Sequence, residues 1–458
     1  MKKFLIWVLC QLILVSLFSQ SRINVFEVPI FQSAKDSIEF AAFQTMIQRI
    51  ISKPANEKGM DSIDMAIKTY IRPTPVGYRK VYMSSDNYFP FDSLLLIKDF
   101  SRITSLTLSN RDMKKLPDVV YECKNLRSIE LVNTRIGKLP RKFKSLHQLE
   151  SIYLLNNRPK RRLKLGKNET IKTFAIRGEK PALIPVTFKQ FINLERLDLA
   201  SNALTIFPSA SSNLKLKELI LSGNSITPDQ DKLRPHLALE KLDLQKNKIK
   251  TIPPAIENFP NLKRLTLNYN QIESVSEKIS GLEKLEQLSF YNNKLTSIPQ
   301  GVYGLSALKE IDLYFNQIER VDDQIGNLHN LEILYLAHNR IAGLPEAIGK
   351  LTRLSELYLS NNRLSDLPAS LTNLRKLRVL RVNNNYLIQV PRHLSTLAYL
   401  ENVDISNNQI TELPEQVTSL AHLKLLVMMN NPWDNPSREK LPSFKLKLQT
   451  KEVVVHAD

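Results

Sequence analysis

Between Arg111 and Asn430 the chain returns fifteen times to one register, and a fixed period of this kind leaves little freedom in how it folds. The clearest copy runs from Leu354 to Pro368 and reads L-x-x-L-x-L-x-x-N-x-L-x-x-L-P, with its leucines at Leu354, Leu357, Leu359, Leu364 and Leu367. The Asn of the pattern falls at Asn157, Asn202, Asn224, Asn247, Asn270, Asn293, Asn316, Asn339, Asn362, Asn385, Asn408 and Asn430. From Asn202 onward the gaps are 22 or 23 residues. Running backward, the register passes Glu179, Asn157, Thr134 and Arg111, and three of these four positions have lost the amide. Prolines at 117, 140, 185, 208, 253, 299, 345, 368, 391 and 414 each follow the Asn position by six residues, so they punctuate coils rather than mark a linker.

This pattern resembles the leucine-rich repeat family, in its short class of about 23 residues with Leu-Pro after the Asn. The resemblance implies an α/β solenoid, a horseshoe of about fifteen coils with a parallel sheet on its concave face. In each coil the two leucines of x-L-x-L-x point inward while the residues between them face out. The Asn side chain then serves backbone groups of the tight turn. At about 4.8 Å per strand the sheet would be on the order of 70 Å long.

Outside the repeats, Lys2, Lys3 and the apolar run Phe4 to Phe18 read as a secretory signal over residues 1–21. The run is shorter than the roughly 20 residues of a membrane span, and an uncleaved signal anchor is the alternative. The expected localisation is therefore outside the cytoplasm: secreted, periplasmic or at the cell surface. Residues 22–102 form an expected N-terminal cap. Ile38 to Ile51 and Met60 to Ile71 carry helical spacing, each ended by a proline, and Val81 to Asp86 reads as a degenerate coil. The solenoid is expected over 103–433 and a small cap or tail over 434–458, with Trp433 as a lid on the last coil. Removing the signal leaves Cys123 as the lone cysteine, so no disulfide framework is available.

No phosphate-cradling glycine loop, H-E-x-x-H, C-x-x-C or G-x-S-x-G occurs, so the chain is read as a non-enzyme without cofactor or metal. His147, His329 and His422 recur at comparable places on the returning side and read as surface loop residues. The outward positions carry more information. Early coils place small or polar residues there, among them Thr107, Ser109, Ala175, Asp198 and Ser222. Five consecutive later coils then carry Tyr269, Tyr291, Tyr314, Phe315, Tyr335, His338 and Tyr358, with Glu310, Asp312, Glu356 and Arg381 around them. Tyrosine combines large apolar area with a hydroxyl and few rotatable bonds, which favours it in binding sites. The plain alternative is aromatic stacking along a sheet for its own sake.

The formal charge is +19, and residues 158–180 hold nine Lys or Arg against Glu169 and Glu179. Arg158, Lys160, Arg161, Arg162, Lys164 and Lys167 therefore form a candidate patch for an acidic glycan or lipid surface. Without interleaved aromatics or a nucleic-acid motif, nucleic acid is not an expected partner. The expected function is recognition of a protein partner, of unknown identity, through the concave face. Alternatives are a surface or adhesion protein using the basic loop, an adaptor for an enzyme, or an intracellular signalling scaffold. The last follows from a resemblance to Ras-binding repeat scaffolds, against which the N-terminal signal argues.

Overall fold

Each coil is built by the same short-range rules. Two aliphatic residues, on or directly after a three- to five-residue strand, alternate with the residues between them, and both are buried, as with Leu357 and Leu359 around Tyr358. A tight turn follows, then a return limb closed by a short 3-10 segment. Proline opens most of these segments. Pro253, Pro299, Pro345, Pro368, Pro391 and Pro414 stand immediately before 3-10 turns of five residues each. Its ring fixes φ and its missing N–H is not needed at a helix start. Asp322 and Ser276 occupy the same place in two other coils, and the Ser276 hydroxyl accepts a bond from the backbone N–H of Lys278.

The computed structural model describes residues 24–30, 77–83 and 100–458, apart from 110–112, 186, 209–214, 228–232 and 234. The chain divides into two units, residues 1–98 with 107–110 and residues 99–106 with 111–458. In the first, strand Asn24–Ile30 pairs antiparallel with strand Gly77–Met83. The degenerate coil expected over 81–86 falls partly on this second strand and partly, at 84–86, outside the described residues. The two helices expected within 38–71 lie outside the described residues, and the helical cap is not shown.

The repeats form one open sheet of sixteen strands in strict chain order, from Ser105–Ser109 to Val454–His456. The pairs from Ser128–Val132 onward are parallel. The last strand lies beyond Trp433. After that buried tryptophan, helix α1 (Asn435–Gln449) is capped by Asp434, whose carboxylate accepts from Ser437 N at 2.8 Å. Strand Val454–His456 then adds itself to strand Leu425–Val427.

Asparagine holds the turns because its amide offers two donors and an acceptor in one plane. Asn316 donates to the carbonyls of Phe290 (3.0 Å) and Leu313 (3.1 Å), while its oxygen accepts from Leu295 N at 3.1 Å. The same set recurs around Asn247, Asn270, Asn293, Asn339, Asn362, Asn385 and Asn408. One expected member is wrong. Asn431, not Asn430, donates to Ile405 and Met428 carbonyls and accepts from Ile410 N. Asn430 precedes the ladder position and takes the left-handed conformation, φ 56°. Both residues are amides, and the hydrogen bonds, not the spacing, decide between them. In the irregular coil Glu179 fills the ladder position, 4% exposed, with one carboxylate oxygen accepting from Arg158 N and the other lacking a partner. A second, sparser set of amides, Asn125, Asn193, Asn261 and Asn330, bonds the carbonyl 24 residues earlier.

Charge also keeps the coils in register. The position two residues before the first inward residue of the strand carries, coil after coil, Arg127, Glu150, Lys172, Glu195, Lys217, Glu240, Lys263, Glu286, Lys309 and Glu332. The signs alternate, so neighbouring coils pair: Lys172 with Glu150 (2.6 Å), Lys217 with Glu195 (3.1 Å), Lys263 with Glu240 (3.0 Å) and Lys309 with Glu286 (3.2 Å). After Ser355 the alternation resumes, and Glu401 sits between Arg378 (2.9 Å) and Lys424 (2.8 Å). Arg378 and then Lys424 hold the Glu401 carboxyl down at about 2. A depressed carboxyl contributes stability above its unfolded value of about 4.3 and loses it as pH falls toward the folded one. The stability difference between wild type and Glu401→Gln should therefore be largest above about pH 5 and should shrink as pH falls toward 2. Urea midpoints of both chains across that range check it, and a constant difference would show that the ion pairs contribute nothing.

Candidate functional site

The outward columns of the sheet come from strand register. Ser289, Asp312, Tyr335, Tyr358, Arg381 and Asp404 face one another on successive strands. Tyr291 and Tyr314 stand two residues beyond the Ser289 and Asp312 of that column. Rings on neighbouring strands are therefore within contact range. Tyr335 stacks on Tyr358, centroids 4.7 Å apart and planes 19° from parallel, and Tyr291 stacks on Tyr314 at 6.1 Å.

Tyr269, Phe315 and His338 were expected among these strand-face residues, and the structure corrects that. They occupy the turn, one residue before the ladder Asn, at φ of 54°, 53° and 55°. From there their rings lean back over the columns. Phe315 lies flat against His338 at 4.0 Å and 14°, Tyr269 meets Tyr291 at 5.1 Å, and Tyr314 touches Phe315, Tyr335 and His338. The seven expected rings thus make one connected array. Its two ends are covered by cations of the same chain, Lys246 over Tyr269 at 5.5 Å and Arg381 over Tyr358 at 6.0 Å. The sequence reading missed Lys246; its position matches that of Tyr269 one coil later, and this was the signal for it.

Burial sets the protonation of the array. It pushes the Tyr314 hydroxyl up, and it does the same for Tyr291, where the Tyr269 hydroxyl adds to it. Burial and then the Glu356 carboxylate raise Tyr358, which donates to that carboxylate at 2.7 Å. These hydroxyls stay protonated at neutral pH and remain donors. Burial lowers His338, so its ring is neutral, and the Asn361 amide faces its Nε2 at 3.2 Å. Asp312 is engaged in the fold: its carboxylate accepts from Tyr314 N at 3.1 Å and from the Ser289 hydroxyl at 3.0 Å. Glu310 accepts from Gln287, which accepts from Arg264. Tyr269 and Phe315 are 44% and 40% exposed, and they are the most open rings of the array.

The expected basic patch lies on other coils. Arg158, Lys160, Arg161, Arg162, Lys164 and Lys167 are all exposed. Arg158 is left-handed (φ 45°), Arg162 donates to the Ala182 carbonyl at 3.1 Å, and Lys167 pairs with Glu169 at 3.2 Å. Cys123 is buried, and burial raises its thiol, which makes it a packing residue. Among the described residues no three His, Cys, Asp or Glu side chains group as metal ligands would, and no helix is long and apolar enough to cross a membrane.

Comparison with known proteins agrees with this architecture. The family description "Leucine rich repeat" matches residues 238–295 and 291–341, and "Leucine-rich repeat region" matches 320–403. No curated relative matches the sequence. Among solved structures, a leucine-rich repeat protein of Leptospira interrogans is similar with a TM-score of 0.62 and 24% identity, over 80% of this chain and 98% of that one. The Toll–Spätzle complex of Drosophila is similar with a TM-score of 0.63 and 20% identity, over 74% of this chain and 48% of the other. At these identities the likeness is one of fold.

Proposed function

Because the chain is a leucine-rich repeat protein, a fold commonly used for protein–protein interaction, we propose that it is a non-enzymatic scaffold binding a protein partner on the concave sheet face. The partner would rest on Tyr269, Tyr291, Tyr314, Phe315, Tyr335, His338 and Tyr358, with Arg381 at one end. That the similar Toll structure is of a complex with Spätzle, another protein, is in keeping with this.

The observation that carries the proposal is backbone conformation. Every coil from Asn133 to Asn430 places one left-handed residue before the ladder position. Seven coils use Asn there and two use Gly, the residues that tolerate it. A bulky side chain in that conformation costs on the order of 1–2 kcal/mol. Five coils carry another residue there; Tyr269, Phe315 and His338 lie within the ring array, two of them exposed, Lys246 covers one end of it, and Ser201 lies apart. β-propensity cannot explain rings that are not on strands. Strain retained beside an open aromatic surface points to use of that surface.

The test is retention of a partner from the protein's natural surroundings. A protein held by wild type and lost from a folded Tyr314→Ala, Tyr335→Ala variant supports the reading; equal retention by both sinks it. We propose in addition that the protein works outside the cytoplasm, from the charged and apolar pattern of residues 2–18. N-terminal sequencing of the natural product should begin near residues 20–22, and an intact Met1 on cytoplasmic protein would contradict it.

A further inference from the structure

Neighbouring coils set opposite charges beside each other along the column from Arg127 to Glu332, yet the return limbs of the second and third described coils do the reverse. Lys138 and Lys164 face each other in a parallel bridge, with Leu139 N bonded to the Lys164 carbonyl at 3.0 Å and Lys164 N to the Gly137 carbonyl at 3.1 Å. Like charges directly opposite each other are destabilising. Arg141 lies along the same limb: a Cβ built on Gly166 would stand 3.9 Å from its Cγ. Arg161 is exposed three residues before Lys164. Among the described residues, none of Lys138, Arg141, Arg161 and Lys164 has a carboxylate within ion-pair reach. Lys142 and Lys167 beside them do, in Asp118 and Glu169. Elsewhere neighbouring coils pair by opposite charge, and among the described residues this row has no such partner.

We propose that Lys138, Arg141, Arg161 and Lys164 bind a linear sulfated polysaccharide, independently of the aromatic face. Bridged positions on adjacent coils are about 4.8 Å apart, and Arg161 and Arg141 stand three residues before and three residues after the bridge, so the cations form a track along the return limb rather than a closed pocket. A flexible polyanion can follow such a track and place successive sulfates on it, with arginine adding two-pronged contacts. A membrane surface is less suited. Stable attachment to lipid needs apolar anchors besides charge, and among the described residues of 113–191, the coils that carry the row, no large hydrophobic side chain is exposed.

Heparin is the probe. A Lys138→Gln, Arg141→Gln, Arg161→Gln, Lys164→Gln variant should bind it roughly tenfold or more weakly at physiological salt, with a shallower salt dependence. A control carrying Lys248→Gln, Arg353→Gln, Arg363→Gln and Lys376→Gln loses the same net charge from exposed sites and should change by less than about twofold. Equal losses in the two would reduce the effect to net charge and overturn the proposal, as would no loss in the first. Vesicles containing about one-third phosphatidylglycerol form the second arm. If they bind more tightly than heparin and depend on the same four residues, the surface belongs to lipid headgroups and the proposal fails. Lys164→Glu guards against misfolding as an explanation. It places opposite charges across the bridge, so it should raise the thermal midpoint while weakening heparin binding; a lowered midpoint would remove the like-charge premise.

Discussion

Replacing Asn316 with alanine is expected to lower the stability of the fold by about 1–3 kcal/mol. Its amide satisfies three backbone groups at once, Phe290 O, Leu313 O and Leu295 N, and the residue is 8% exposed. Alanine leaves those groups facing each other with no room for bulk water, and an unpaired buried polar group carries its full desolvation cost. Asn431→Ala should cost a similar amount, since Asn431 makes the same three bonds at the end of the solenoid. Asn430→Gly should stay within a few tenths of a kcal/mol, because glycine adopts φ of 56° without strain. Chemical denaturation of the three variants decides between adjacent amides. If Asn430→Gly costs as much as Asn431→Ala, the placement of the last coil is wrong.

The same pair of residues shows where the sequence is and is not legible. A period of 22 or 23 residues fixes which leucines point inward, because a one-residue slip would turn a strand inside out. That constraint acts on strands and says less about turns. At Met429-Asn430-Asn431 two amides compete, and both spacings occur elsewhere in the chain, so the count alone favours neither. Aromatic placement failed for a related reason. Tyr269 and Phe315 sit beside strand positions in the sequence, but the turn begins there, and side-chain alternation no longer holds. The alternating Arg127–Glu332 column was present in the sequence and went unread. Its residues are 22 or 23 apart, and only the stacking of coils makes them neighbours. Within the first 102 residues, helical spacing was the available signal, whereas the described strands 24–30 and 77–83 pair across more than forty intervening residues. No local pattern encodes such a partner.

The larger effect is expected in binding. Tyr335→Ala removes a ring stacked on Tyr358 and touching Tyr314, at the centre of the array. Truncating a central aromatic anchor typically costs about 2 kcal/mol or more of binding free energy. The loss should vary little with salt, since desolvated contact is not screened as exposed charges are, over about 8 Å at physiological ionic strength. Arg161→Ala with Arg162→Ala, on other coils, should weaken partner association mainly at low salt if it acts at all. Both variants should fold, because neither side chain belongs to the leucine core.

A sharper form uses the turn position. Phe315→Asn and His338→Asn install the residue that seven other coils carry there. Relief of backbone strain, about 1–2 kcal/mol for a bulky residue, offsets the loss of ring stacking, about 0.5–1.5 kcal/mol. The fold should therefore be nearly unchanged while the binding surface loses two of its rings, the exposed Phe315 among them. The decisive measurement is the affinity of the captured protein partner for wild type and for the Phe315→Asn, His338→Asn variant, alongside the thermal midpoint of each. An affinity lower by about 2 kcal/mol or more, with midpoints nearly equal, is the predicted result. Unchanged affinity in a folded variant would contradict the assignment of partner recognition to this face.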